Sequence, residues 1–331
     1  MKKPFGVLPS GEQAWLYTIE GDGLQAQLTD FGATLVRLYV PDRNGQADDV
    51  VLGFSDCNDY RTSPTYCGAI VGRNANRIKD SQFVCGGKTV QLEPNEGKNC
   101  NHSGPSCYTF RLWQVEQKTK NAITFYLLSP DGDQGFPGNA EIRVTYTLSG
   151  GGLTVSFDAL ADQDTIFNMT NHSFFNLAGH QHPELAVQQI LTLPARIYTE
   201  ADDKNIPTGR LLPVDDTPMD FREGKPICRD IELCPGGYDL NFEVYTAPAA
   251  ILHDPVSGRT MTVTTDMPGI HFYSGNYLAG EIGKDGVSYC CRGGMALETQ
   301  HYPDAVHHPE WKQPFVKAGE HWHSVTRFSF N

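Results

Sequence analysis

With 331 residues and 39% hydrophobic content, the chain can bury a large core, and β-rich chains of this length often fold as one domain, so residues 1–331 are read as a single unit. A formal charge of −13 without any Lys/Arg-rich run repels phosphate backbones and anionic lipid surfaces, which excludes nucleic acid and membrane as expected partners. No stretch of about eighteen apolar residues occurs, and Met1–Leu8 lacks the apolar centre of a secretion signal, so a cytoplasmic location is expected.

Thirty-three Gly and twenty-one Pro leave little room for long helices but suit short strands between turns. In chain order, period-two alternation predicts strands at Leu24–Leu28, Leu35–Val40, Phe110–Val115, Ile123–Leu127, Ile142–Leu148, Leu153–Phe157 and Met261–Thr265. Asn44-Gly45 and Gly86-Gly87 are turn signals, and Gly150-Gly151-Gly152 joins the fifth and sixth strands into a hairpin with one buried face. Strands of this length and spacing predict an all-β sandwich or barrel. Nine cysteines without a CxxC pair are read as reduced, mostly buried thiols.

Polar residues of catalytic type gather in five Gly- and Asn-rich segments, as loops on a rigid β scaffold would. They are Gly72–Ile78, Asn101–Gly104, Asn168–Leu177, Gly237–Phe242 and Ala296–Gln300. His172 lies between Ile166-Phe167 and Phe174-Phe175, where apolar neighbours tune an imidazole, although on this segment alone a core histidine held by backbone hydrogen bonds is the commoner case. Glu298 sits at the end of an apolar run, where a carboxylate is either used or paired, with Arg77 and Arg292 as possible partners. Asn76-Arg77 offers an amide beside a guanidinium fork, suited to adjacent sugar hydroxyls or to a simple turn and ion pair. Asp239 suits a pair of hydroxyls or an Asx turn.

His301, His307, His308, His321 and His323 cluster near the end of the chain without HExxH or CxxC spacing, so they are read as solvated surface histidines and no metal is expected. GxSxG, Walker A and GxGxxG patterns are also missing, which removes support for acyl transfer, P-loop chemistry and dinucleotide cofactors.

Taken in order, the segments resemble the aldose 1-epimerase (galactose mutarotase) family from Asp30-Phe31-Gly32-Ala33 to Leu297-Glu298-Thr299. Gly72-Arg73-Asn74-Ala75-Asn76-Arg77-Ile78 is similar to the family's GR-x-ANRI, Asn171–Leu177 to its NHS-[YF]-FNL, and Gly237-Tyr238-Asp239 to its GYDHNF. The resemblance implies a large antiparallel β-sandwich of the galactose mutarotase-like supersandwich type with few short helices. It also implies that His172 and Glu298 are the catalytic pair and His102 a second active-site histidine. Asn76, Arg77, Ser173, Phe174, Asp239 and His271 are expected beside the substrate. The ligand is then a small monosaccharide, no cofactor is required, and the protein is expected to be a monomer or weak homodimer. Three positions depart from the family pattern: HGG reads His102-Ser103-Gly104, GYDH ends in Leu240, and a frequent Gln is His271.

The implied reaction interconverts the α and β anomers of a free hexose such as galactose or glucose. Glu298 would act as base on the C1 hydroxyl and His172, as an imidazolium with a pKa near the working pH, as acid on the ring oxygen. Alternatives are a hexose-phosphate mutarotase, drawing on Arg73, Arg77 and Arg292 for the phosphate; a glycoside hydrolase, which generally uses two carboxylates; and a sugar-binding module without turnover.

Overall fold

The computed structural model describes residues 2–331. A nine-stranded antiparallel sheet runs through the molecule in the order Gln114–Lys118, Ala122–Ser129, Ala140–Ser149, Gly152–Ala161, His321–Phe330, Thr260–Thr265, Ala250–His253, Ile190–Thr192 and Lys225–Pro226. A five-stranded sheet spans Lys2–Val7, Gln13–Gly21, Leu24–Thr29, Thr34–Pro41 and Ala47–Asp49. A six-stranded sheet runs Phe174–Phe175, Met295–Gln300, Gly269–Tyr273, Asp239–Glu243, Ile197–Ala201, Pro207–Pro213. Among the described residues the one α-helix is Cys57–Thr62, capped by the Asp56 carboxylate, and no helix is long and apolar enough to cross a membrane.

Alternation explains how the sheets stack. Ile142, Val144, Tyr146 and Leu148 are fully buried and face the five-stranded sheet, where the Tyr17 and Phe125 rings meet edge-on at 6.4 Å and Tyr146 donates its hydroxyl to the Ala33 carbonyl. Farther along the nine-stranded sheet, Phe328 packs on Phe175 of the six-stranded sheet with ring centroids 5.0 Å apart. One apolar cluster draws on all three sheets, so the predicted sandwich is observed with the nine-stranded layer shared by the other two.

The predicted strands appear with small extensions, and the hairpin closes with Ser149 opposite Gly152. Phe110–Val115 is the exception. Tyr108–Phe110 is a 3₁₀ turn and the strand starts only at Gln114, because local bonds compete with the ladder: the Trp113 indole donates to the Tyr108 carbonyl, and the Arg111 guanidinium grips the Ser106 carbonyl and Asp133. All nine cysteines are free thiols, six of them buried, with Cys228, Cys290 and Cys291 exposed. His301 corrects the reading of the C-terminal histidines. It is buried, and its ring Nδ1 pairs with the Lys312 carbonyl, whereas His321 and His323 are exposed.

Candidate active site

The six-stranded sheet presents two chemically different faces. Phe242, Ile270, Phe272, Met295 and Leu297 point into the apolar core. With a period of two, Asp239, Asn241, His271, Tyr273, Glu298 and Gln300 must take the opposite face. The strand register sets Asn241 opposite His271 and His271 opposite Glu298, one polar row across three strands.

Loops from elsewhere in the chain close over that face. Thr170–Asn171 pairs with Ile70–Val71, and the next residue, His172, is clamped through its own backbone, with N–H to the Ala69 carbonyl and its carbonyl to the Gly68 N–H. Arg77–Ile78 pairs with Cys100–Asn101, which delivers Asn76, Arg77 and His102 to the same place. Asn76 and His102 both take positive φ, at 60° and 50°. Gly237, with φ of +83°, passes so close to the Asn276 side chain that any Cβ there would collide with it, and this tight turn sets the start of the Asp239 strand.

The result is a cleft of about 270 Å³ lined by Asn76, Arg77, His102, His172, Phe174, Asp239, His271 and Glu298, eight of the nine residues expected beside the sugar. Ser173 is not among them. His172 and Phe174 flank it and face the cleft, so Ser173 points the other way, where its hydroxyl donates to Asn171 Oδ1 at 2.6 Å. Asn101, from the Asn101–Gly104 segment, also lines the cleft, as do Tyr66, Glu96, Tyr273 and Tyr277, which were not foreseen. Tyr273 was accessible to sequence reasoning, because it is two residues from His271 on a strand; Tyr66 carried no local signal.

His172 Nε2 lies 3.6 Å from Glu298 Oε1, and both side chains are almost wholly buried. The two arginines considered as partners for Glu298 are engaged elsewhere. Arg77 makes a bidentate pair with Glu96 at 2.7 and 3.0 Å, and Arg292 binds Glu232. Burial, reinforced by the charge of Asp239 and opposed by Arg77, pushes the Glu298 carboxyl up to about 8. Burial pushes His172 the other way, down to about 4. This corrects the expectation of an imidazolium titrating near neutrality: the pair carries one proton over mid-range pH, and burial favours placing it on the carboxyl.

His102 Nδ1 accepts the Asn76 backbone N–H at 3.1 Å, which assigns the ring proton to Nε2. Its ring packs edge-on to His172 with centroids 5.3 Å apart, and burial followed by the charges of its neighbours holds its pKa well below the ordinary value. Single atoms of His102, His172 and Glu298 lie within 4.8 Å of one another, a separation a divalent cation could bridge. The Asn76 contact, however, makes His102 Nε2 a proton donor, which suits an oxygen of a neutral ligand better than a cation.

Asp239 is not an Asx-turn residue. Its Oδ1 meets His271 Nε2 at 2.7 Å and its Oδ2 accepts from Asn205 Nδ2 at 2.9 Å. Burial alone would raise this carboxyl, but the hydrogen bond and charge of His271, with Arg77 and His172 behind it, hold it below the usual range. Arg73, the third arginine of the motif segments, is fully buried away from the cleft, where its guanidinium donates to the Pro137 and Gly138 carbonyls, Ser129, Thr165 and Tyr108.

Residues 16–329 match the aldose 1-epimerase family model. The chain is 39% identical over 337 residues to galactose mutarotase from Homo sapiens, covering 99% of this chain and 97% of that protein. It is 34% identical over 338 residues to aldose 1-epimerase from Escherichia coli K12, covering 98% and 97%. A crystal structure of an aldose epimerase homologue from C. elegans superposes with a TM-score of 0.89 at 30% identity, covering 96% of this chain and 99% of that one. Galactose 1-epimerase from Lactobacillus acidophilus, at 24% identity, shares the fold with a TM-score of 0.85 over 100% of this chain and 98% of that one. Similarity of this extent marks an enzyme of the isomerase class acting on carbohydrates, and the chain belongs to the aldose 1-epimerase family.

Proposed function

We propose that the enzyme interconverts the α and β anomers of free hexoses such as galactose and glucose, with His172 and Glu298 as the acid/base pair. The observation that carries this reading is their approach to 3.6 Å inside a cleft of monosaccharide size. Opening a cyclic hemiacetal removes the proton from the C1 hydroxyl and adds one to the ring oxygen, so a pair sharing one proton has what the step requires. Glu298 takes the hydroxyl proton while His172 gives its proton to the ring oxygen. The C1–O5 bond breaks, the aldehyde turns about C1–C2, and closure on the other face returns both protons. No net proton leaves the site in a turnover.

Because the resting proton favours Glu298, it must pass to His172 before Glu298 can act as base, and the short gap between the two makes that transfer local. His102 Nε2–H is placed to stabilise charge growing on a sugar oxygen, while Asn76, Arg77, Asp239 and His271 orient a ligand that offers no charge to grip. The flat faces of Phe174 and Tyr273 suit the apolar face of a pyranose.

A phosphorylated hexose is disfavoured by the charge of the cleft. Glu96 and Asp239 line it against Arg77 alone, the His172–Glu298 pair with its single proton adds no net charge, Arg77 is already bonded to Glu96, and Arg73 and Arg292 are occupied elsewhere. Freshly dissolved α-D-galactose and α-D-glucose followed by polarimetry test the proposal, and accelerated loss of rotation is expected. Calorimetric binding without acceleration would make the protein a sugar-binding module, and acceleration confined to glucose 6-phosphate would reassign the substrate.

A further inference from the structure

Beside the catalytic carboxylate, on the same sheet face and in the adjoining loop, lies a layer of polar side chains that the reaction as described does not use. Among the described residues, eight of the fifteen buried side-chain nitrogen and oxygen atoms that lack a hydrogen-bond partner in the protein belong to six residues around Glu298. They are Glu298 Oε2, His172 Nδ1, His271 Nδ1, Thr170 Oγ1 and both amide atoms of Asn241 and of Gln300. Asn241, Gln300 and Thr170 are each at most 1% exposed. A buried amide with neither atom satisfied is costly, and two of them on the sheet face that carries a buried carboxylate call for a physical reason.

The strands explain why these groups share a place. Gln300 follows Glu298 by two residues on one strand and therefore takes the same face. Asn241 lies in the polar row with His271 and Glu298. Gly269, opposite Gln300, keeps the space beside Asn241 open, since a Cβ there would collide with Asn241 Oδ1 and the Tyr302 ring. The Asn168 amide oxygen accepts the His301 N–H at 2.8 Å, which holds the segment carrying Thr170 against the end of the Glu298 strand.

We infer that Thr170, Asn241 and Gln300 hold bound water against the inner oxygen of Glu298 and act as positioning residues that keep its ionised form within reach. The inference rests on the acid/base reading proposed above. A buried water typically makes about three hydrogen bonds, and the orphaned donors and acceptors of this layer supply them. Charged and titratable groups also face Glu298: His172 and His102 from the covering loops, His271 and Asp239 from the neighbouring strands, and Arg77 from the Gly72–Ile78 segment. Of these, only Arg77 favours the carboxylate as a fixed positive charge. Hydration from this layer is a second source of stabilisation, and without it the shared proton would stay on Glu298 and leave no base.

The test replaces the amide by an apolar group of similar size, Gln300→Leu, with Thr170→Val as a second variant that alters only a hydroxyl. Drying the layer raises the Glu298 pKa, so at neutral pH kcat falls about tenfold while KM changes little, and the alkaline limb of kcat/KM moves up by about one pH unit. Gln300→Asn, which keeps the amide, restores both. A loss of rate with the limb unmoved in both apolar variants, or no change at all, overturns the inference. Carbon-13 titration of the Glu298 carboxyl, assigned with Glu298→Gln, reads the same shift without turnover. A wild-type protein that fails to accelerate mutarotation therefore sinks the functional reading alone, and an unmoved carboxyl titration sinks this one alone.

Discussion

His172 Nε2 and Glu298 Oε1 approach to 3.6 Å although one leaves a loop and the other a central strand of the six-stranded sheet. The loop is held by its own backbone bonds to Gly68 and Ala69, and the strand by ladders on both sides. Neither group therefore depends on the other for its position, and the gap between them is a property of the scaffold. Such rigidity is what a pair that passes a proton back and forth around a rotating aldehyde requires.

Removing either member should abolish most of the chemistry and little of the fold. Glu298→Gln and His172→Gln are expected to lower kcat by roughly 10² to 10⁴-fold, the usual contribution of a general acid or base. Polarimetry gives the rate, and circular dichroism checks that the β signature persists. Near-wild-type turnover in both variants would end the assignment.

The pH profile follows from the single shared proton. Below about 4, His172 gains a second proton for the pair and no base remains; above about 8, Glu298 loses the last one and no acid remains. A bell-shaped kcat/KM with limbs near those values is expected, the limbs belonging to the pair rather than to either residue. A flat profile through the alkaline limb would contradict it.

Asp239→Asn separates anchoring from electrostatics. Losing a carboxylate tied to His271 and Asn205 should weaken sugar binding and raise KM. The negative charge of Asp239 also helps to raise the Glu298 pKa, so its removal should move the alkaline limb down. An increase in KM with the limb fixed would limit Asp239 to holding the sugar.

Away from the cleft, Lys284 is wholly buried and donates to Asp49 Oδ2 at 2.6 Å and to the Val36 and Val51 carbonyls, each at 2.7 Å. Lys284→Met removes the nearer of two cations on Asp49, leaving it Arg37 Nη1 at 3.4 Å and the Leu38 N–H, and should cost about 3 kcal/mol in urea unfolding, the lower end of the range for breaking one partner of a buried pair. Adding Asp49→Asn should recover part of that loss. Equal stability of wild type and Lys284→Met would show that Asp49 finds other solvation.

Much of this could be read from the sequence because it depends on local rules. Ile142–Leu148 and Leu153–Phe157 alternate so regularly that their hairpin and buried face follow from period two alone. His172 and Glu298 stand in short segments whose order resembles a known family. Phe110–Val115 misled because two of its own side chains, Arg111 and Trp113, reach partners outside the segment, the Ser106 and Tyr108 carbonyls and Asp133, and period two cannot show such partners. Ser173 misled because motif membership says nothing of direction, whereas the pleat turns adjacent residues to opposite sides.

By itself, then, the amino-acid order determined an all-β architecture, its main strands and the residue types available for acid/base work, since these follow from hydrophobic period and local chemistry. Only the tertiary structure decided which carboxylate each arginine takes, that Lys284 and Asp49 pair in the interior, and that Asn241, His271, Glu298 and Gln300 share one face. It also decided the protonation of the pair, because the cost of charging His172 or Glu298 is set by the depth of burial and by neighbours that only the folded chain brings close.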